Sequence, residues 1–264
     1  MKTLRKFLVE FRALWHLTLE YRIAVFIWMF AMILPLIMLA GWLSIAESGP
    51  VGRFRREDFI AYYFASLFVR NLTGIWVIWE QDHDIRHGRL SFRLLKPMNP
   101  IIHYIAFGLA SKPIRVGILV PVVIAVSLFI PGVQFVTNPL HVALFIPALF
   151  GAWAIGFLVQ YTIGLLGFWM TQSLSLHDAW FALFSLLSGY LIPLDLFPPR
   201  IRDVLFVTPF RYILSFPVEI FTRQLSTVQI LQGLAVQAMW VIVFYGVYRF
   251  VWSRGLRRYS AVGA

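Results

Sequence analysis

The stretch IAVFIWMFAMILPLIMLAGWLSIA, residues 23–46, runs for 24 positions without a charged side chain. A helix needs about 20 predominantly apolar residues to cross the hydrocarbon core of a bilayer. A soluble protein of this size has no use for such an uninterrupted run. The stretch therefore predicts a transmembrane helix, with a kink at Pro35 because proline interrupts the helical hydrogen-bond ladder.

The composition extends this prediction to the whole chain. Hydrophobic residues make up 60% of the 264 positions and charged residues only 13%, whereas soluble domains have about 25% charged residues. We expect an all-α integral membrane fold, a single transmembrane domain over residues 1–264. The apolar blocks predict six transmembrane helices, at 23–46, 59–79, 114–130, 140–170, 180–192 and 228–252.

Two further segments are expected beside the spans. Residues 1–22 place an apolar stripe at spacings of three and four, which predicts an amphipathic helix lying in the membrane interface. The stripe consists of Leu4, Leu8, Phe11, Trp15 and Leu19. Residues 191–223 contain five prolines, a density that breaks helices. They predict an extracytoplasmic, proline-broken re-entrant hairpin between the fifth and sixth helices.

Six spans place both termini on one side of the membrane, and the distribution of Lys and Arg selects the side. With both termini in the cytoplasm, inside positions outnumber outside positions by nearly two to one. The inside set is Lys2, Arg5, Lys6, Arg12, Arg22, Arg86, Arg89, Arg93, Lys96, Lys112, Arg254, Arg257 and Arg258, and the outside set is Arg53, Arg55, Arg56, Arg200, Arg202, Arg211 and Arg223. We therefore expect a multi-pass protein of the inner (plasma) membrane, with segment 80–112 in the cytoplasm.

The formal net charge of +11 raises nucleic acid as a partner. Because the basic residues flank apolar blocks, anionic lipid headgroups explain them better, and no nucleic-acid partner is expected. The chain contains no cysteine, which excludes disulfides, zinc–thiolate sites and thiol catalysis.

The sequence offers little catalytic chemistry. It has no Gly-x-x-x-x-Gly-Lys-Ser/Thr loop, no Gly-x-Ser-x-Gly elbow and no His-Glu-x-x-His pair. We expect no catalytic residues, metal site or cofactor in this chain. His83 and His87 lie four residues apart and leave open a membrane-embedded, metal-dependent lipid-modifying enzyme. Arg70, inside the second span, is the one feature that would suit an ion-coupled secondary transporter.

Three segments carry a resemblance to a known family. Residues 84–100, DIRHGRLSFRLLKPMNP, fit the pattern I-x-x-G-x-L-x-x-x-L-L-x-P. SGYLIPLDLFP at 188–198 and TPF at 208–210 resemble a proline-broken hairpin, and GLRRY at 255–259 resembles the family's ending. With the basic helix before the first span, the chain resembles permease subunits of ABC exporters of the second exporter type (ABC-2-like), in the group with paired, diverged permeases.

The resemblance implies a dimer of six-helix permeases, of like or unlike chains, standing on separate P-loop ATPase subunits that bind ATP and Mg²⁺. It implies that a coupling helix contacts the ATPase, through Asp84, Ile85, Arg86, Gly88, Arg89, Leu90 and Arg93. We expect Ile85, Leu90, Leu94 and Leu95 to seat this helix, while Asp82, Asp84, Arg86, Arg89 and Arg93 face the partner. The hairpin, with Gly189, Pro193, Pro198 and Pro209, would close the outer end of the substrate path.

Overall fold

The computed structural model describes residues 2–170, 172–222 and 224–259. These residues form helices, and the other regular feature among them is an isolated antiparallel bridge between Val51 and Phe54. The α-helices are α1 Lys2–Glu20, α2 Arg22–Phe30, α3 Leu34–Ala46, α4 Arg56–Thr73, α5 Val77–Arg86, α6 Arg89–Leu95, α7 Ile101–Ala110, α8 Lys112–Phe129, α9 Pro139–Leu165, α10 Ser173–Leu187, α11 Pro199–Val207, α12 Pro209–Ile213, α13 Ser215–Phe221 and α14 Thr227–Gly255.

Four stretches of the described chain are long and apolar enough to cross a membrane: Arg22–Ala46, Ile101–Phe129, Pro139–Phe168 and Thr227–Gly255. They confirm an all-α, multi-pass membrane fold. The other two expected spans correspond to shorter helices, α4 with 18 residues and α10 with 15. The count of six spans stays a prediction.

Some span boundaries differ from those expected. The third span is helical from Ile101, whereas the sequence placed its start at 114, because the apolar α7 directly follows the charged segment. The fifth helix, α10, begins and ends earlier than 180–192. It stops before Gly189, whose φ of 88° lies in the left-handed region and is incompatible with a continuing helix.

Helix α9 lies at the centre of the molecule. It packs against α4, α5, α10, α12, α13 and α14. Its C-terminal half is buried against these helices, whereas its N-terminal half keeps exposed apolar side chains such as Ile146 and Phe150. Its contact with α14 includes a buried polar link, in which the Gln237 amide donates to the carbonyls of Ala148 at 3.0 Å and Tyr212 at 2.9 Å.

The basic helix α1 packs along α7. Phe7, Phe11 and Leu14 are half-buried, whereas Leu4 and Leu8 are exposed. The face of α1 that contacts protein is therefore rotated from the predicted stripe, because aliphatic residues lie on both sides of the helix. Its location in the membrane interface stays a prediction.

Prolines divide the segment after α10 into short helices, as the sequence predicted. Pro199 and Pro209 are the first residues of α11 and α12, where a missing N–H costs nothing. The following α13 is buried, and Phe221 stacks on Phe68 and Phe145 at centroid distances of 5.2 and 4.9 Å. Arg223, assigned to the outside in the charge count, lies outside the described residues.

Candidate functional site

The predicted coupling helix is a tight helix–turn–helix formed by α5 and α6. Gly88, between Arg86 and Arg89, has φ of 68°. Glycine adopts this left-handed conformation without the steric cost that other residues pay. The turn lets α6 fold back against α5, so that Ile85 and Leu90 are both buried, as expected.

Four side chains form what we call the Asp84 cluster: Glu80, Asp84, Arg93 and Tyr104. The Asp84 carboxylate is 1% exposed and accepts hydrogen bonds from Arg93 Nε and from the Tyr104 hydroxyl, the latter at 2.6 Å. Arg93 Nη2 also donates to Glu80 Oε1 at 2.9 Å, and its guanidinium lies 5.1 Å from the Tyr104 ring centroid. The cluster joins α5, α6 and α7 through charge-assisted hydrogen bonds.

The one cation of the Asp84 cluster, Arg93, is fully paired, because it contacts two carboxylates. Burial disfavours the charged form of the Arg93 guanidinium and so lowers its pKa. The hydrogen bond and the negative charge of Asp84 outweigh burial, and the pKa of Arg93 lies above its usual value. One cation thus serves two carboxylates. The cluster fixes the orientation of α6 relative to α5 and α7.

The expectation that Asp82, Asp84 and Arg93 face a partner is wrong. Asp84 and Arg93 pair with each other, and Asp82 is buried, where it accepts a hydrogen bond from Ser173 and pairs with Arg86 at 2.8 Å. Charged residues are usually exposed, but hydrogen bonds to Tyr104 on α7 and Ser173 on α10 allow Asp84 and Asp82 to be buried.

The exposed surface of the turn has a different composition from that expected. Arg86 and Arg89 are exposed, as expected. Leu94 and Leu95, both expected to seat the helix, are 38% and 82% exposed, so that expectation is wrong for these two residues, and Phe92 is 71% exposed. Among the described residues Arg89 forms no ion pair. The turn therefore presents an arginine beside two large unpartnered apolar side chains, and we call Arg89, Phe92 and Leu95 the α6 patch.

Polar side chains of α1 contact the residues that follow the α6 patch. The Glu10 carboxylate pairs with Lys96 and His103, both at 3.2 Å, and Lys6 donates to the carbonyl of Pro97. Burial opposes ionisation of Glu10, but these hydrogen bonds outweigh it and lower the pKa of Glu10 below its usual 4.5. Sequence analysis missed Glu10, His103 and Tyr104, since no local pattern predicts contacts so distant along the chain.

The predicted gate residues lie around the end of α10. Gly189 is enclosed, since a Cβ there would meet the hydroxyls of Ser215 and Tyr62. The Tyr62 hydroxyl donates to the Gly189 carbonyl at 2.8 Å, and Ser215 donates to the Ser188 carbonyl at 2.8 Å. Pro193 is buried nearby. Pro198 directly precedes α11, and Pro209 is the first residue of α12. The structure thus links Gly189 to α4 and α13, and does not gather the three prolines at one point.

A buried ion pair in the same region was not foreseen. Arg211 Nη2 lies 2.6 Å from Glu219 Oε2, with 11% and 5% of the two side chains exposed. The pair joins α12 to α13. The charge count assigns Arg211 to the outside of the membrane. The signal in the sequence for this pair is the acidic residue eight positions later, Glu219.

A second set of basic side chains surrounds the break between α4 and α5. Residues 74–76 are not helical and separate α4 from α5. Lys112 donates to the Gly74 carbonyl, and Arg115 Nη1 donates to Asn71 Oδ1 at 2.9 Å. Arg70, on α4, lies 4.9 Å from the Phe184 ring centroid. We call Arg70, Lys112 and Arg115 the basic layer, and none of the three pairs with a described carboxylate.

The histidine pair gives the enzyme alternative no support. The rings of His83 and His87 stack at 4.1 Å on the exposed side of α5, and the acidic groups beside them turn inward. Within the described ranges, no three His, Asp or Glu residues are grouped so that they could hold a metal ion.

The helical architecture and the broken segment after α10 agree with one family. The family model described as ABC-2 family transporter protein matches residues 24–263. The chain belongs to this family. It is therefore an ABC-2-type permease, a multi-pass integral membrane component of a kind that normally works with an ATP-binding subunit.

A search of curated proteins finds no match for this ABC-2 permease. The family match covers both the α5–α6 turn and the segment with Gly189. The roles of these two regions are taken up below as proposals.

Proposed function

We propose that this chain is the substrate-conducting permease subunit of an ATP-driven ABC exporter, powered by a separate P-loop ATPase that docks on the α5–α6 turn. The observation that carries the proposal is the α6 patch, two large apolar side chains and an unpaired arginine exposed on a short helix. Exposed apolar side chains rimmed by charge are characteristic of protein contact sites.

The attachment of the patch supports a mechanical role. A helix that transmits force must not rotate independently of the helices behind it. The Asp84 cluster ties α6 to α5 and α7, and Glu10 ties Lys96 to α1. A displacement of the patch would therefore move three helices of the membrane domain together.

The remaining details belong to the same proposal. The α6 patch and both termini face the cytoplasm, and a second permease, of like or unlike sequence, completes the substrate path. The segment with Gly189, Pro193, Pro198 and Pro209 closes the outer end of that path as a re-entrant hairpin. Its support is the packing of Gly189 against Tyr62 and Ser215, which would couple an outer gate to α4.

Co-purification from the native membrane tests the ATPase contact. We expect a P-loop ATPase to accompany the wild-type chain, and the double variant Phe92→Ala/Leu95→Ala to lose at least about tenfold of it, since hot-spot contacts are worth about 2 kcal/mol each. Leu128→Ala/Phe129→Ala is the matched control, because these two side chains are 75% and 82% exposed at the far end of a span. Equal recovery with both variants would contradict the docking site.

Charge reversal and labelling test the same surface independently. Arg89→Glu should weaken ATPase recovery, whereas Arg200→Glu, at an equally exposed position on α11, should not. Because the chain lacks cysteine, Arg89→Cys and Arg200→Cys each introduce one thiol. We expect an impermeant maleimide added outside intact cells to label position 200 and not position 89. The reverse pattern would refute the proposed topology.

A further inference from the structure

An apolar groove lies beside the basic layer, on the side where α1 and α2 meet α5, α7 and α8. Its volume is about 690 Å³, within the range of small-molecule sites. Trp28, Trp76 and Trp79 line one wall, with successive ring centroids 5.4 and 5.1 Å apart, and Phe107 lines another. The groove would accept a long apolar group.

Arg115 lies in the wall of this groove and is the feature that the fold leaves unsatisfied. Its side chain is only 4% exposed, and its Nε has no hydrogen-bond partner. The contacts of Nη1 with Asn71 and Met32 are with neutral groups. A buried cation without a counter-ion is costly, so the geometry calls for an anion that the described chain does not supply.

The other two cations of the basic layer, Arg70 and Lys112, further favour a bound anion near Arg115. The α4 helix ends beside Lys112, and the C-terminal end of a helix carries about half a negative charge. That partial charge cannot offset three cations, and Arg70 Nε is also without a partner. The groove therefore combines apolar walls with one buried cation in its lining, Arg115, and Arg70 and Lys112 lie behind that wall close enough to add positive charge.

The position of Arg115 along its span agrees with a lipid ligand. It precedes the last residue of α8, Phe129, by fourteen positions, which is about 21 Å along a helix axis. In a hydrocarbon core about 30 Å thick, Arg115 then lies in the leaflet nearer to the α5–α6 turn. On this count Arg115 lies about 9 Å inside the boundary of the hydrocarbon core, so a lipid phosphate has to be drawn inward along the groove to reach it.

We propose that this groove binds an anionic phospholipid from the surrounding bilayer, with one acyl chain along the tryptophans and the phosphate drawn in toward Arg115. Charge complementarity selects an anionic lipid over a zwitterionic one. The open side of the groove, where Ala24 and Trp28 are exposed, lets the lipid enter laterally without passing through water.

Native mass spectrometry of the purified chain tests this site, with phosphatidylglycerol or phosphatidylcholine added to the detergent. We expect phosphatidylglycerol to bind at least about tenfold more tightly. Both lipids carry the phosphate, but phosphatidylcholine also carries a cationic choline, and placing a like charge beside Arg115 is unfavourable. Arg115→Gln should remove the preference while keeping an amide donor near Asn71. Arg200→Gln, an exposed arginine remote from the groove, should retain it.

A second variant keeps the test decisive if Arg115→Gln does not fold. Ala24→Trp adds bulk at the exposed rim and leaves Arg115 in place, so it should reduce binding of both lipids. Equal binding of the two lipids by the wild type, or undiminished phosphatidylglycerol on folded Arg115→Gln or on Ala24→Trp, would overturn the proposal. So would a change in oligomeric state on Ala24→Trp without a change in lipid, because the groove would then be a contact between chains. No arm involves the ATPase, so the outcome is independent of the proposed coupling role.

Discussion

Two groups of charged side chains in this permease, the Asp84 cluster and the basic layer, differ in whether their cations have carboxylate partners. In the Asp84 cluster, Arg93 is shared by two carboxylates, and a tyrosine hydroxyl completes the coordination of Asp84. In the basic layer, Arg70, Lys112 and Arg115 find carbonyls, an amide and aromatic rings, but no described carboxylate. Cations paired with carboxylates stabilise one geometry. Cations without a carboxylate partner in the described chain are stabilised fully only by a negative group from outside it.

The strongest test of this contrast is Asp84→Asn. The substitution keeps the side-chain shape but leaves Arg93 with Glu80 alone, whose side chain is 37% exposed. Removing one partner of a buried ion pair costs about 3–5 kcal/mol, and we expect a loss near the lower end of that range. Reversible unfolding in mixed micelles, followed by tryptophan fluorescence, would measure it. The control is Asp178→Asn, because that side chain is 80% exposed, and an equal loss from both variants would show that the cluster is not a stabilising unit.

A smaller effect is expected at Glu10, which is matched by Lys96 and His103 at the edge of the same region. Glu10→Gln should cost about 1 kcal/mol, because the ion pair with Lys96 is partly exposed and the contact with His103 is a hydrogen bond. The lowered pKa of Glu10 gives the pH dependence its sign. The attachment of α1 is complete above the unfolded pKa of about 4.5 and is lost as pH falls through the lower folded value.

Hydrogen exchange of α1 amides measures this attachment locally. We expect lower protection factors, that is, exchange corrected for the intrinsic rate at each pH, in Glu10→Gln at neutral pH and in the wild type below pH 4. Helix α14, which packs on α9, should be unaffected and serves as an internal reference. Unchanged α1 protection in the variant would mean that apolar packing on α7 alone holds the helix.

The smallest effect is expected where the charge is unmatched. Arg70→Met removes a cation whose burial is costly, and it also loses the contacts with Phe181 and Phe184. These contributions oppose each other, so the free energy of unfolding should change by less than about 1 kcal/mol. Arg93→Met is the matched comparison and should cost several times more, because it leaves Asp84 buried without a cation. If the two losses were alike, the two sets of charge would not differ as described.

The sequence predicted those features that depend on local chemistry. Apolar runs gave the long helices, and the density of prolines after α10 gave the division of that segment into short helices. The coupling helix expected to run through Gly88 is instead interrupted there, because Gly88 has a left-handed φ of 68°. In each case a residue's own backbone preference or its transfer to lipid decides the structure.

Features that depend on distant partners were not predictable in the same way. Asp84 is buried because Arg93 and Tyr104 meet it from other helices, and periodicity does not reveal such partners. The rotation of α1 had a similar cause, since an apolar face suits lipid and protein equally. The basic layer was partly visible as Arg70 in a span, but the approach of Lys112 and Arg115 depends on how α8 packs against α4.

The non-helical residues 74–76 separate α4 from α5, so these helices form two rods joined end to end. The rod nearer the α6 patch, α5, has ten residues and so is about 15 Å long. A push delivered at Gly88 would travel this lever arm and be converted to bending at Gly74, where the carbonyl held by Lys112 marks the pivot. A change in the hydrogen bond from Lys112 to that carbonyl would alter how easily the chain bends at Gly74. The pivot would thus be the place where a molecule seated beside Arg115 and a force applied at the turn influence each other.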